Sequence, residues 1–142
     1  MEKYNCYIKG YGLPHLNVGS SAFVIEHNGT VIVSKSKLYS CPENIDPWKF
    51  HFYCELLAVR EALKECKEGT IVNIYTSEVV VVGWLRNRCK KVEYKEWIDV
   101  IKQLFRRHES ICIEYYKSGG DLQLFNTVQE IAYKTVHEYK PE

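Results

Sequence analysis

The sequence lacks the patterns that would assign it to several common classes of protein. Its 142 residues contain no apolar stretch that approaches the ~20 residues of a membrane-spanning helix. The opening segment, Met1-Glu-Lys-Tyr-Asn5, has no apolar core of the kind found in signal peptides. A net charge of only +1 provides no global field that would draw the chain toward nucleic acid or a membrane surface. We therefore expect a cytoplasmic protein without a membrane partner, in which any basic binding surface is local.

The cysteines also lack a recognisable pattern. Six are present, but no two are spaced as Cys-x-x-Cys, and the five histidines are scattered. Zinc sites need ligands at characteristic spacings, so no zinc site is predicted. Without a secretion signal, we expect free, mostly buried thiols rather than a disulfide framework.

Hydropathy patterning predicts an α/β domain that spans residues 1–142. Segments with β-type alternation are followed by segments with helical periodicity. The predicted strands cover residues 3–9, 20–27, 30–38, 70–77 and 111–117. The predicted helices cover residues 52–67, 79–88, 94–108 and 124–139. Asn28-Gly29 predicts a tight hairpin, whereas glycine and proline within residues 10–19 predict a loop.

The resulting order is β-β-β-α-β-α-α-β-α. It predicts a mixed five-stranded sheet, with three antiparallel strands followed by helix-connected strands and with helices on both faces. This order resembles that of the ribonuclease H family, and local segments resemble it too. Cys-Glu-Leu-Leu-Ala-Val-Arg-Glu-Ala-Leu at 54–63 looks like that family's first helix, and Ile-Tyr-Thr-Ser-Glu-Val-Val at 74–80 looks like its fourth strand and following helix. Residues 7–25 and 115–132 resemble its opening strands and its last strand and helix, so the resemblance spans nearly the whole chain.

The resemblance implies a site of four carboxylates that hold two magnesium ions for phosphodiester hydrolysis. The first of these positions falls on Lys9, the second keeps its carboxylate as Glu55, and the third is Ser77. The fourth is Gln129 in an ungapped alignment, or Glu130 with a shift of one residue. Magnesium requires hard oxygen ligands, so a lysine or a glutamine does not replace a carboxylate there.

The positions that the resemblance assigns to substrate contacts have changed as well. Two asparagines before the first helix and a flexible histidine after the last strand are missing. The residues in those regions are His51, Phe52, Gly119 and Gly120. Together these losses predict that no metal is held, and we expect the Lys9 ammonium to form an ion pair with Glu55 instead. Loss of one partner from such a partly buried pair would leave the other uncompensated.

A basic run begins at the end of the second predicted helix and predicts a local surface for phosphate contacts. It consists of Arg86, Arg88, Lys90 and Lys91. An aromatic content of 13% is compatible with base stacking, with a protein interface or with ordinary packing.

These features predict a non-catalytic ribonuclease H-like domain that binds nucleic acid, as RNA or an RNA–DNA hybrid, or acts as a protein-interaction scaffold. Self-association through the sheet is left open. So is a magnesium-dependent nuclease acting on RNA–DNA hybrid through an irregular acidic cluster. That cluster would comprise Glu55, Glu78, Asp121 and Glu130. Ser77 as a nucleophile would need a base, for which His51 is the nearest candidate.

Overall fold

The computed structural model describes residues 2–87, 92–116 and 123–139. The strands are β1 (Lys3–Leu13), β2 (Val18–His27), β3 (Thr30–Ser40), β4 (Ile71–Thr76) and β5 (Ser110–Tyr115). The helices are α1 (Phe50–Glu65), α2 (Val79–Arg86), α3 (Val92–Phe105) and α4 (Gln123–His137). Short 3-10 helices lie at Pro14–Leu16 and Pro47–Lys49. The predicted α/β class and order of elements are confirmed.

The strands form one mixed sheet in the order β3-β2-β1-β4-β5. The pairs β1–β2 and β2–β3 are antiparallel, whereas β1–β4 and β4–β5 are parallel. In the parallel register Tyr7 lies opposite Tyr75. Lys9 lies two residues after Tyr7 in β1, and Ser77 lies two residues after Tyr75, directly after β4. The parallel register therefore brings Lys9 and Ser77 side by side.

Helices pack against both faces of the sheet. Since alternate side chains of a strand point to opposite faces, β1 contributes residues to two separate cores. From β1, Cys6 and Ile8 enter the larger core, which also contains apolar residues of α1, α2 and α3. Tyr7 enters a smaller core with Phe125, Val128 and Ala132 of α4. The predicted placement of helices on both faces is confirmed.

The predicted loop over residues 10–19 is wrong in most of its length. β1 continues to Leu13 and β2 begins at Val18, and these two residues are partners in the antiparallel ladder. A Cβ atom at Gly10 would lie 2.3 Å from the backbone nitrogen of Glu55, and one at Gly19 would lie 2.6 Å from Cys54 Sγ. These glycines therefore mark a close approach of α1 to two strands rather than a turn.

Asn28 and Gly29 form the predicted hairpin. Both have left-handed backbone conformations, with φ of 53° and 77°, as a type I′ turn requires. The helix predicted over residues 52–67 ends at Glu65, and Cys66 is extended. Gly69 takes a φ of 78° in the connection to β4, where its N–H donates to the Arg107 carbonyl.

The thiols of the described cysteines are free, as predicted from the sequence. Three of them, Cys6, Cys54 and Cys66, are buried, and Cys6 Sγ lies 3.5 Å from Cys66 Sγ. Cys89 lies outside the described residues. None of the described helices combines the length and apolar character needed to cross a bilayer.

Candidate functional site

A cleft of about 230 Å³ lies beside the end of β4, between β1 and the start of α1. Its lining residues are Lys9, Gly10, Tyr11, Gly12, Pro14, Pro47, His51 and Glu78. Ligand sites of α/β sheets are commonly built outside the carboxyl ends of parallel strands. The fold brings Lys9, Glu55 and Ser77 together at this point, although they are far apart in sequence.

Glu55 is completely buried beneath the cleft and spans from α1 to two strands. One carboxylate oxygen, Oε2, accepts a hydrogen bond from the Gly10 N–H at 2.5 Å. The other, Oε1, accepts one from the Thr76 hydroxyl at 2.5 Å. Both oxygens of the retained acid therefore already hold α1 against β1 and β4.

Burial raises the pKa of Glu55 to about 7. The hydrogen bond from Thr76, the positive charge of Lys9 and the Gly10 N–H lower this pKa, while the negative charge of Glu78 raises it. Near neutral pH the side chain is therefore divided between its protonated and ionised forms.

Lys9 contacts Ser77 rather than Glu55. Its ammonium donates to Ser77 Oγ at 3.2 Å and lies 5.3 Å from the centre of the Tyr11 ring. Among the ion pairs of the described residues, none involves Lys9. The predicted Lys9–Glu55 ion pair is therefore wrong, although the charge of Lys9 still acts on Glu55 over a longer distance.

Strand alternation explains why this ion pair does not form. Consecutive residues of β1 point to opposite faces, so Lys9 and Gly10 diverge. Glu55 lies on the Gly10 side, where α1 is in close contact with the strand. Its carboxylate is satisfied by nearer donors within that contact.

Ser77 is not assembled as a nucleophile. In the described part of the chain its hydroxyl accepts a hydrogen bond from Lys9, and an ammonium cannot act as a base. His51 lines the same cleft, and its ring lies 4.0 Å from the ring of Phe52, centre to centre. Burial lowers the pKa of His51 and so favours its neutral form.

The two candidates for the fourth carboxylate position lie on α4 and do not line the cleft. Gln129 is half-buried, and Glu130 is exposed and pairs with Lys134 at 3.3 Å. Of the proposed irregular acidic cluster, Glu78 lines the cleft, and Asp121 lies outside the described residues. Within residues 2–87, 92–116 and 123–139, no group of three or more His, Cys, Asp or Glu side chains is arranged to hold a metal ion.

Only one member of the predicted basic run can be placed. Arg86 donates from Nε to the Ile113 carbonyl at 2.8 Å and pairs with Glu114 at 3.5 Å. Arg88, Lys90 and Lys91 lie outside the described residues, as do Gly119 and Gly120. Arg86 therefore attaches α2 to β5. Some of its N–H donors are already used in these contacts and are not available to a phosphate.

Replacing Arg86 with methionine should lower the free energy of unfolding by about 1 kcal/mol, the usual net value of such hydrogen bonds. The reason is that the Ile113 carbonyl and Glu114 lose their guanidinium partner. Urea denaturation of Arg86→Met and of the control Arg106→Met, at an exposed position, measures this effect. Equal stability of the two variants would contradict the attachment role.

Two partners of Glu55 were missed by sequence reasoning. Thr76 immediately precedes Ser77 and is completely buried, and Gly10 was assigned to a loop. The alternation of β4, in which Val72, Ile74 and Thr76 are buried, is the signal that could have placed Thr76 toward α1. No comparable pattern shows that the backbone N–H of Gly10 meets a carboxylate.

Comparison with known proteins adds no family assignment. A scan of the chain against protein-family models finds no match, and a search among curated proteins finds no significant relative. Function must therefore be inferred from the chemistry of the cleft.

Proposed function

We propose that this chain is a non-catalytic ribonuclease H-like domain that binds nucleic acid without cleaving it. The order of elements and the mixed five-stranded sheet support the fold assignment. The observation that carries the functional proposal is the Lys9–Ser77 contact beside a fully buried Glu55. A lysine and a serine stand there at two positions where the resemblance implies metal-binding carboxylates.

Loss of catalysis follows from the charge and the geometry of these groups. Two-metal hydrolysis needs several ionised oxygens that converge on a pair of cations. At this site the protein itself supplies a cation, and the retained carboxyl is occupied by Gly10 and Thr76. An ammonium next to the site opposes the entry of a second cation by electrostatic repulsion.

Binding without cleavage is compatible with the same groups. A lysine ammonium can contact a backbone phosphate without any metal, and such contacts require only local positive charge. The overall charge of +1 means that affinity has to come from such local groups.

We expect the protein to bind a labelled RNA–DNA hybrid with an affinity that falls as salt concentration rises, because phosphate binding releases counterions. Fluorescence anisotropy over a salt series measures this binding. Incubation of the same hybrid with Mg²⁺ or Mn²⁺, followed by denaturing electrophoresis, should show intact strands. Metal-dependent cleavage that persists in a Lys9→Met preparation and is lost in Glu55→Gln would refute the proposal.

A protein-interaction scaffold is the second candidate, and β3 is the feature that favours it. This 11-residue strand forms one end of the described sheet and exposes Val31, Ile32 and Leu38. Edge strands offer unpaired backbone groups to other chains, although the two lysines of β3 oppose such pairing. A mass that increases with protein concentration, without affinity for the hybrid, would favour the scaffold.

A further inference from the structure

Lys9 is a cation that lines the cleft, and it takes part in none of the ion pairs of the described residues. Lys35, Lys49, Lys64 and Lys134, in contrast, each pair with a glutamate, as Lys35 does with Glu65 at 2.6 Å. Among residues 2–87, 92–116 and 123–139, the Lys9 ammonium contacts the Ser77 hydroxyl and the face of the Tyr11 ring. Glu78 shares the cleft and the Lys9 charge acts on Glu55, but neither carboxylate forms an ion pair with Lys9, so an anionic ligand can supply the partner that this partly buried ammonium needs.

The donors around Lys9 suit a tetrahedral oxyanion. An ammonium has three N–H donors, and Ser77 takes one of them, so the others remain for a ligand. Because the Ser77 oxygen acts as the acceptor in that contact, its own hydrogen is available for a second oxygen of the same ligand. His51 lines the cleft and becomes an additional cationic donor when it is protonated.

We infer that the cleft at Lys9 binds one phosphate group of a nucleic-acid backbone, with Lys9 and Ser77 as its donors. This inference rests on the proposed function for the source of the phosphate. Gly10 and Gly12 form part of the wall and have no side chain to obstruct the approach of the phosphate.

Glu78 sets the strength of this site. Its carboxylate lines the same cleft and repels an anion, so free phosphate should bind weakly. A polymeric backbone gains additional contacts on either side, and these offset the repulsion. The site therefore contains one charge that favours binding and one that opposes it, and substitutions of the two should have opposite effects.

The test uses the full chain with Lys9→Met, Glu78→Gln and, as a matched control, Lys64→Met. Lys64 is exposed at the far end of α1 and pairs with Glu61 at 3.4 Å. We expect Lys9→Met to weaken hybrid binding about tenfold and to reduce the salt slope by about 1, the effect of losing one phosphate contact. Glu78→Gln should tighten binding, and Lys64→Met should leave both quantities close to those of the parent. Circular dichroism confirms that each variant is folded.

A second measurement separates the phosphate site from nucleic-acid binding as a whole. Titration with inorganic phosphate, followed by NMR of the His51 ring, should shift its resonances in the parent and not in Lys9→Met. Hybrid binding that is unchanged by both Lys9→Met and Glu78→Gln would overturn the phosphate site and leave the proposed function standing. A phosphate-induced shift that needs Lys9, in a protein that binds no hybrid, would support the site and overturn the proposed function.

Discussion

Replacing Gly10 with alanine should lower the free energy of unfolding by about 3 kcal/mol or more, at the upper end of overpacking effects. The added Cβ would lie 2.3 Å from the backbone nitrogen of Glu55 and 2.8 Å from both the Cys54 carbonyl carbon and the His51 carbonyl oxygen. All three are backbone atoms of α1, so no side-chain rotation can relieve the contact. The helix would have to move away from β1, which would stretch the hydrogen bond between the Gly10 N–H and Glu55.

Gly12→Ala is the matched control, because it makes the same chemical change two residues further along β1. Its Cβ would meet the His51 Cβ and backbone nitrogen at 3.4 Å, which is an ordinary contact. We expect less than about 1 kcal/mol of change at this position, as for a tolerated surface substitution. Urea denaturation followed by tryptophan fluorescence compares the two variants. Similar stabilities would show that α1 is not in close contact with β1 at Gly10.

Changing Glu55 to glutamine should remove a pH dependence of stability on the order of 3 kcal/mol, at about 1.4 kcal/mol for each unit of pKa shift. Burial raises the pKa of Glu55 from its ordinary value of 4.5 to about 7 in the folded protein. Between these values the folded state binds more protons than the unfolded state. The free energy of unfolding should therefore fall as pH rises through this window. Above the window Glu55 is ionised in both states, so its contribution no longer changes with pH.

Other groups titrate in the same range, so the comparison must be made between the parent and the variant. Burial lowers the pKa of His51 and His108, and this makes stability rise with pH over the range where they lose their protons. Subtracting the pH profile of stability of Glu55→Gln from that of the parent isolates the contribution of Glu55 ionisation. Thermal or urea denaturation from about pH 4 to about pH 8 spans the window given by this linkage.

The two charged neighbours of Glu55 supply a further check on this assignment. Lys9→Met should move the midpoint of the difference profile to higher pH, because Lys9 lowers the pKa of Glu55. Glu78→Gln should move it to lower pH for the opposite reason. Glu130→Gln, at an exposed position on α4, should leave it unchanged. Identical pH profiles for the parent and Glu55→Gln would contradict the raised pKa.

Local patterns in the chain predict most of its elements. The hairpin at Asn28 and Gly29 follows from their tolerance of left-handed backbone, and the helices other than α2 follow from their apolar periodicity. The short helix α2 was predicted from the need for a crossover between parallel strands. The proximity of Lys9 and Ser77 was also foreseen, through the resemblance that placed them in one site. Such features depend on neighbours in sequence or on the order of elements.

The errors occur where two distant segments meet. Residues 10–13 contain two glycines and were assigned to a loop, but they form strand because β2 supplies hydrogen-bond partners on one side. The Lys9–Glu55 ion pair was expected from opposite charge. Strand alternation and the donors of Gly10 and Thr76 make a different pairing more favourable.

Residue identity therefore settles which chemical groups are available: a lysine and a serine where carboxylates are implied, and one retained glutamate. The packing of α1 against β1 and β4 determines the state of those groups. It buries Glu55 beneath two hydrogen bonds and leaves Lys9 in the cleft without a carboxylate partner among the described residues. Burial and hydrogen-bond geometry are properties of contacts between distant segments, and no local pattern in the chain contains them.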